Sequence, residues 1–456
     1  MDLHLALQPG SPRRTQLERQ LREAIRSGRL RAGSRLPPSR SLAPELGVSR
    51  GVVVDAYSQL VAEGYLVARP GYGTQVADSV AARPTMAHAS RSGVPPPRYD
   101  LRSGLPDVSR FPRREWHAAM AEAVRELPDA WLTYGRSRGL SRLRVALADY
   151  LGRARAAFAD PHEIVTCAGL SHGLTLVWGA LRERGARRVA IEDPVWRGQP
   201  ETVTYAGLEP VPIPVDDKGL LVEQLERANV DAVMVSPAHQ YPTGAVLAPE
   251  RRAALIEWAR RHNRPIVEDD YDAEYRYDRE PVAALQGMAP DVVIYAGTAS
   301  KTLAPALRLA WLLVPGDLID EVTAQHEVAR ASPGIFEQAA LAVMLEGGQL
   351  ERHLRQMRRL YRSRRDALVE ALAEFLPDVR VGGAAAGLHL VAWLPEGADE
   401  QAIARRAGER GVAVHTLHRD CFTAAPCPPA LLLGYSSLTE ETIRTAAREL
   451  ALAVYG

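Results

Sequence analysis

Apolar residues recur at three- and four-residue spacing through the first sixty positions. Leu17, Leu21 and Ile25 fall on one face of a helix expected over 15–28, with Gly28 ending it. A second helix is expected from Ser39, which can cap it, with Leu42, Ala43 and Leu46 turned inward and Gly47 making a turn. Ser49 caps a third, in which Val52, Val53, Tyr57 and Leu60 alternate between core and surface. Residues 64–77 then read as two strands around a tight Pro70-Gly71 turn. Helices joined by a Gly-containing turn and followed by such a wing predict a winged helix-turn-helix over 1–77.

The pattern breaks at residue 78. Residues 78–98 are rich in Ala, Ser, Pro and Arg and have no apolar period, which predicts a linker. From Tyr99 onward, short β-branched runs alternate with helical stretches. The runs are RRVAIED (187–193), DAVMVSP (231–237), RPIVEDD (264–270) and VVIYAGT (292–298); the helices include 249–262 and 336–374. Buried strands alternating with helices predict an α/β domain over 99–456, its mostly parallel sheet covered on both faces.

Composition adds three facts. No apolar run is long enough for a signal peptide or a membrane span, so a cytoplasmic protein is expected. The three cysteines, Cys167, Cys421 and Cys427, form neither a disulfide framework nor a zinc pattern, so reduced thiols and no metal are expected. Residues 1–76 hold eleven Arg against six acids, a net +5 on a chain of net +1, which points to a polyanion for the first domain.

Within that domain Ser39, Arg40, Ser49 and Arg50 stand at or near helix N-termini, where N–H groups and cations meet phosphates. The third helix would enter the major groove of double-stranded DNA, with Arg69 placed for a contact from the wing. The segment LPPSRSLAPELGVSRGVVVDAYSQLVAEGYL…RPGYGTQV resembles the winged helix-turn-helix of GntR-type regulators over about 65 residues.

In the second domain the informative feature is a scarcity. Two lysines, Lys218 and Lys301, stand among 56 basic residues. Arg cannot form a Schiff base, so chemistry needing a neutral amine would retain its Lys. Lys301 lies in TASKTLAPALRLAW (298–311), between Thr298 and Ser300 and seven residues before Arg308. Hydroxyls and an Arg fork beside such a Lys suit the phosphate of pyridoxal 5′-phosphate (PLP). Thirty-two residues earlier, with one strand–helix unit expected between, VEDDYDAEYRY offers Asp269 for the pyridine nitrogen, ahead of Asp270, and Tyr271 for the ring O3′. TCAGLSHGL would present the N–H groups of Gly169, Leu170 and Ser171 to phosphate at a helix N-terminus. EDPVWRG offers Trp196 for stacking on the ring, and SPAHQYPTG puts His239 and Gln240 near its edge. Ligands of such sheets bind outside the carboxyl ends of the strands, where all these segments fall.

Residues 100–456 resemble the fold-type I PLP enzymes of the aspartate aminotransferase superfamily; with its head, the chain is similar to MocR-subfamily regulators. The resemblance implies a large subdomain over about 130–345 and a small one from 99–129 and 346–456. It implies a Schiff base on Lys301, Asp269 on N1, Tyr271 on O3′ and Trp196 over the ring. Thr298, Ser300, Arg308, Leu170 and Ser171 would surround the phosphate. Tyr134, in LTYGRSRGLSRLR, would reach the partner's phosphate in a head-to-tail homodimer. Tyr241 stands where classical aminotransferases carry Asn, in the HQ-aromatic-PTG form typical of MocR regulators. Leu432, in LLLGYSS, stands where many relatives place the Arg that clamps a substrate carboxylate; Arg197 is a candidate substitute. The expectation is a PLP-binding transcription regulator, at most a slow transaminase. Its effector would be PLP itself, and so vitamin B6 metabolism, or an amine or amino acid exchanging onto the Schiff base. The alternative is a working aminotransferase with an accessory DNA-binding head.

Overall fold

The computed structural model describes residues 5, 7, 8, 12–69, 72–78, 97–133, 138–277, 282–383, 385–423 and 427–456. The Pro70-Gly71 turn, most of the expected linker and Tyr134 lie outside them. The chain divides into two compact units, Met1–Pro95 and Pro96–Gly456.

The first unit is built from α1 (Arg13–Arg26), α2 (Ser39–Glu45), α3 (Arg50–Ala62) and an antiparallel pair, β1 (Leu66–Arg69) with β2 (Gly73–Val76). Leu17, Leu21, Leu42, Val53 and Leu60 are wholly buried in one core, as the helical spacing requires. The Ser49 hydroxyl accepts the Val52 N–H at 3.4 Å and caps α3. Ser39 does not cap α2. It is the first residue inside that helix; Pro38 holds the cap position and makes no side-chain cap bond.

The second unit opens with β3 (Tyr99–Asp100). Its main sheet contains β4 (Ile164–Cys167), β5 (Arg188–Asp193), β6 (Glu209–Asp216), β7 (Gly219–Leu220), β8 (Ala232–Val235), β9 (Ile266–Asp270), β10 (Val293–Thr298) and β11 (Ala310–Leu313). The strand order is β4-β11-β10-β9-β8-β5-β6-β7. The pairs from β10 through β9, β8 and β5 to β6 are parallel; β7 and β11 run against their neighbours. Alternate residues feed different cores. Ile191, Met234, Val267 and Ile294 join one cluster, while Ala190, Val233, Ile266 and Val293 join another. Both faces are covered, which accounts for the near-continuous apolar strands.

A smaller sheet is formed by β12 (Arg380–Gly382), β13 (His389–Trp393), β15 (His415–Thr416) and β16 (Ala430–Gly434), in the order β12-β13-β16-β15. β14 (Val412–Ala413) pairs in parallel with β3 and so ties the start of the unit to its C-terminal part.

Two details differ from expectation. The helical stretch 336–374 is two helices, Ile335–Glu346 and Gln349–Phe375, separated at Gly347-Gly348, where Gly348 takes a left-handed φ of +67°. Between β9 and β10 the described residues hold a 3₁₀ turn, Gln286–Met288, instead of the expected α-helix. No helix among the described residues is long and apolar enough to cross a membrane.

Candidate functional site

Segments that follow β4, β5, β8, β9 and β10 converge on one cavity of about 350 Å³. Lys301 and Asp269 both line it. Lys301 follows β10, and its Nζ donates to the Gly104 carbonyl at 2.5 Å. Burial lowers the pKa of this amine, against the pull of Asp272 and Asp269. Lys218 is exposed on a turn after β6, 3.5 Å from Glu250.

Asp269 and Asp270 face opposite ways, as consecutive strand residues must. Asp269 is buried; Gln199 Nε2 donates to its Oδ2 at 2.9 Å, and Oδ1 has no partner among the described residues. Burial pushes this carboxyl up to about 7, with the Gln199 hydrogen bond acting in the other direction. Asp270 is taken up by Arg155, whose Nε and Nη2 reach it at 2.6 and 3.0 Å, and by the Tyr295 hydroxyl at 2.7 Å. Only the first of the two is open to a ligand.

Tyr271 also lines the cavity. Its hydroxyl lies 3.0 Å from His239 Nδ1, and the Asp272 carboxylate meets the same nitrogen at 3.0 Å. Trp196, on the loop after β5, lines the wall and is 39% exposed. Tyr241 lines it as well; its hydroxyl lies 3.0 Å from Ser103 Oγ and donates to Asp420 at 3.2 Å.

A second group of donors gathers near the start of helix Leu170–Glu183. Thr298 Oγ1 donates to Ser300 Oγ at 2.9 Å, and Arg308 Nη2 donates to the Ala168 carbonyl at 2.8 Å. Gly169 has φ +92°, and a Cβ there would stand 2.8 Å from the Arg308 guanidinium carbon. Glycine therefore permits the close approach of Arg308. The Gly169 N–H donates to the Cys167 carbonyl at 2.8 Å, so it is not free for a phosphate. Leu170 and Ser171 are the first two residues of the helix, where N–H groups have no intrahelical acceptor.

Three other expectations change. His239 and Gln240 do not line the cavity. His239 sits behind Tyr271 and Asp272, while Gln240 Nε2 donates to the Pro194 carbonyl at 2.8 Å. Arg197 is exposed and borders a neighbouring recess. Cys421 and Cys427 are joined in a disulfide rather than reduced, with their Cα atoms 6.8 Å apart; Cys167 is a buried free thiol. Leu432 is wholly buried among Val391, Leu417 and Ala430. Ser103, Gly104, Gln199, Asp272, His415 and Arg419 line the cavity and were not foreseen. Only Asp272, in the acidic run itself, carried a local signal.

In the first unit Arg40, Arg50 and Arg69 are exposed, and no hydrogen bond or ion pair of their guanidinium groups is found among the described residues. Arg22, by contrast, pairs with Glu63 at 2.8 Å. The free arginines stand at the second residue of α2, the first of α3 and the end of β1.

Known proteins share both units. Residues 13–76 match the gntR family of bacterial regulatory proteins, and residues 100–450 match aminotransferase class I and II. The chain is 34% identical to the HTH-type pyridoxine biosynthesis transcriptional regulator PdxR of Corynebacterium glutamicum, over 99% of each chain. It is 33% identical to the probable rhizopine catabolism regulatory protein MocR of Rhizobium meliloti, over 96% of this chain and 93% of the relative. Among solved structures, kynurenine aminotransferase of Pyrococcus horikoshii superposes with a TM-score of 0.71 at 27% identity, covering 78% of this chain and 90% of that one.

Proposed function

The chain belongs to the DNA-binding transcription regulators that join a gntR-family head to an aminotransferase class I and II domain, and from that premise we propose that it holds PLP on Lys301 and answers to what occupies that cavity. The observation that carries the reading is a buried carboxylate with one unpaired oxygen, Asp269 Oδ1, lining the same cavity as a lysine whose amine is made easier to deprotonate. A protonated pyridine nitrogen would satisfy the first, and an aldehyde would take the second. When bound, PLP supplies that aldehyde and an electron-withdrawing ring.

The chain's own residues do the holding. Tyr271 would donate to or accept from the ring O3′, and Trp196 would cover one face of the ring. The N–H groups of Leu170 and Ser171, the hydroxyls of Thr298 and Ser300, and Arg308 would receive the phosphate. Gly169 contributes by leaving room for Arg308, and His239 by holding Tyr271 and Asp272 from behind. Tyr241 borders the side away from the phosphate.

In the head, Arg40, Arg50 and Arg69 would contact a DNA operator, with Ser39 and Ser49 at the helix starts. We place the head at 1–77, a linker at 78–98 and the PLP-binding domain at 99–456, with a large subdomain over about 130–345. Tyr134 would serve the partner's site in a head-to-tail homodimer, and the protein would work in the cytoplasm.

Leu432 supports regulation over turnover, since it leaves the usual carboxylate clamp without its Arg. PLP itself is then the first candidate for the sensed ligand, in keeping with the relative named for pyridoxine biosynthesis. A regulatory ligand must bind two states of the protein differently. Operator affinity measured with and without PLP tests this. A shift that depends on Lys301 is expected. If PLP has no effect and rapid conversion of an amino acid and oxo acid pair is found, the aminotransferase reading replaces it.

A further inference from the structure

One cationic side chain of the cavity is used by nothing described above. Arg419 lines the cavity, is exposed, and makes no hydrogen bond or ion pair among the described residues. Its charge is felt by Tyr241, His415 and Asp420, and none of these touches the donors around Arg308. Besides Lys301, the cavity thus carries two separate arginines, Arg308 against Ala168 and Gly169, and Arg419 beside Tyr241 and His415.

We infer that Arg419 heads a second anion subsite, for the carboxylate of a small acid held beside PLP. The inference rests on the PLP reading above. Three observations lead to it. Leu432 is packed into an apolar cluster and presents no cation, so the usual position for a carboxylate clamp is vacant of charge. Arg419 follows β15, the edge strand paired with β16, and so approaches the cavity from another element than Leu432. Its neighbours make their hydrogen bonds to groups other than Arg419. The Asp420 carboxylate accepts from Tyr241, and burial raises its pKa to about 6, while Ser103 Oγ lies 3.2 Å from His415 Nδ1 and burial holds His415 neutral down to about 4. An arginine on the cavity wall, with the Tyr241 and Ser103 hydroxyls and the His415 imidazole lining or bordering the same space, offers a carboxylate a planar cation and hydrogen-bonding groups.

The test uses the full chain loaded with PLP. Uptake is first measured by borohydride reduction of the unaltered protein, Arg419→Ala and Arg419→Lys. Each is then titrated calorimetrically with acetate, succinate and glutarate, and with acetamide as the uncharged control. The expected result is equal PLP uptake in all three, and carboxylate binding weakened about tenfold or more in Arg419→Ala, as for loss of a charge-assisted hydrogen bond. Arg419→Lys should recover part of it, and acetamide should bind none of the three. Normal uptake with carboxylate affinity unchanged in Arg419→Ala, or no carboxylate binding by the unaltered chain, overturns the subsite. No uptake by the unaltered chain overturns the PLP reading and the subsite with it.

Discussion

Asp269 keeps one carboxylate oxygen unpaired among the described residues, while Asp270, the next residue on the same strand, has both oxygens bound by Arg155. The two therefore answer differently to the same substitution. Asp270→Asn leaves Arg155 charged and buried without its partner, and should destabilise the fold by about 3–5 kcal/mol. Asp269→Asn should leave denaturant stability near that of the parent at about pH 4 but weaken PLP uptake about tenfold or more at neutral pH, since a hydrogen bond to a charged ring nitrogen is lost. Chemical unfolding and a PLP titration of both variants check this.

The carboxyl of Asp269 also predicts a pH dependence. Burial raises it to about 7 in the folded chain. The folded state then binds more protons than the unfolded one between the ordinary carboxylate range, about 4, and about 7. Stability from this group is full at the acidic end of that window and falls as pH rises through it. The PLP-free parent should therefore lose more stability from pH 4 to pH 7 than Asp269→Asn does. Parallel slopes in urea melts of the two would contradict this.

Lys301→Ala should abolish the visible absorbance that follows PLP addition and the borohydride-stable label. Lys218→Ala should change neither, because Lys218 is exposed on a turn and pairs with Glu250. Peptide mapping of the reduced protein distinguishes the two sites.

Gly169→Ala should lower PLP affinity without touching a ligand atom. The new methyl would meet the Arg308 guanidinium, and its backbone would be held at φ +92°. Strain of this kind costs about 1–3 kcal/mol. Arg308 would be displaced, so affinity for inorganic phosphate in the PLP-free protein should fall along with that for PLP.

In the head, Arg50→Ala and Arg40→Ala should each weaken operator binding and reduce the slope of log affinity against log salt by about one, if the lost contact is to phosphate. Ser49→Ala removes the cap of α3 and should cost about 1 kcal/mol of domain stability. A salt titration by fluorescence anisotropy checks the first pair, and thermal melts check the last.

Much of the fold was legible because its signals are local. Helical spacing in the head and β-branched runs in the body each report burial over a few residues. Lys301 is legible for a different reason: in a chain with two lysines, the one beside Thr298 and Ser300 and seven residues before Arg308 stands out as the candidate amine. What could not be read is what depends on distant segments. Ser103 and Gly104 reach the cavity because β3 pairs with β14, more than three hundred residues away. Arg419 reaches it through the edge of the small sheet. His239 shares a strand-end segment with Tyr241, yet only the latter lines the cavity, because sequence order does not tell which layer a loop residue occupies. Position alone offers the Gly169 N–H to a phosphate, but that N–H donates to the Cys167 carbonyl two residues back. The pairing of Cys421 with Cys427 depends on how closely their Cα atoms approach in space, which spacing alone does not state.

The hydrogen bond from Lys301 to the Gly104 carbonyl belongs to the free amine. Any aldehyde that captures the nitrogen competes with that carbonyl for it. Gly104 lies only four residues beyond β3, the strand with which the second unit begins. Capture of the amine would free the Gly104 carbonyl near the start of the second unit, so the exchange rate of the amide hydrogens around residues 99–105 should change when an aldehyde is added.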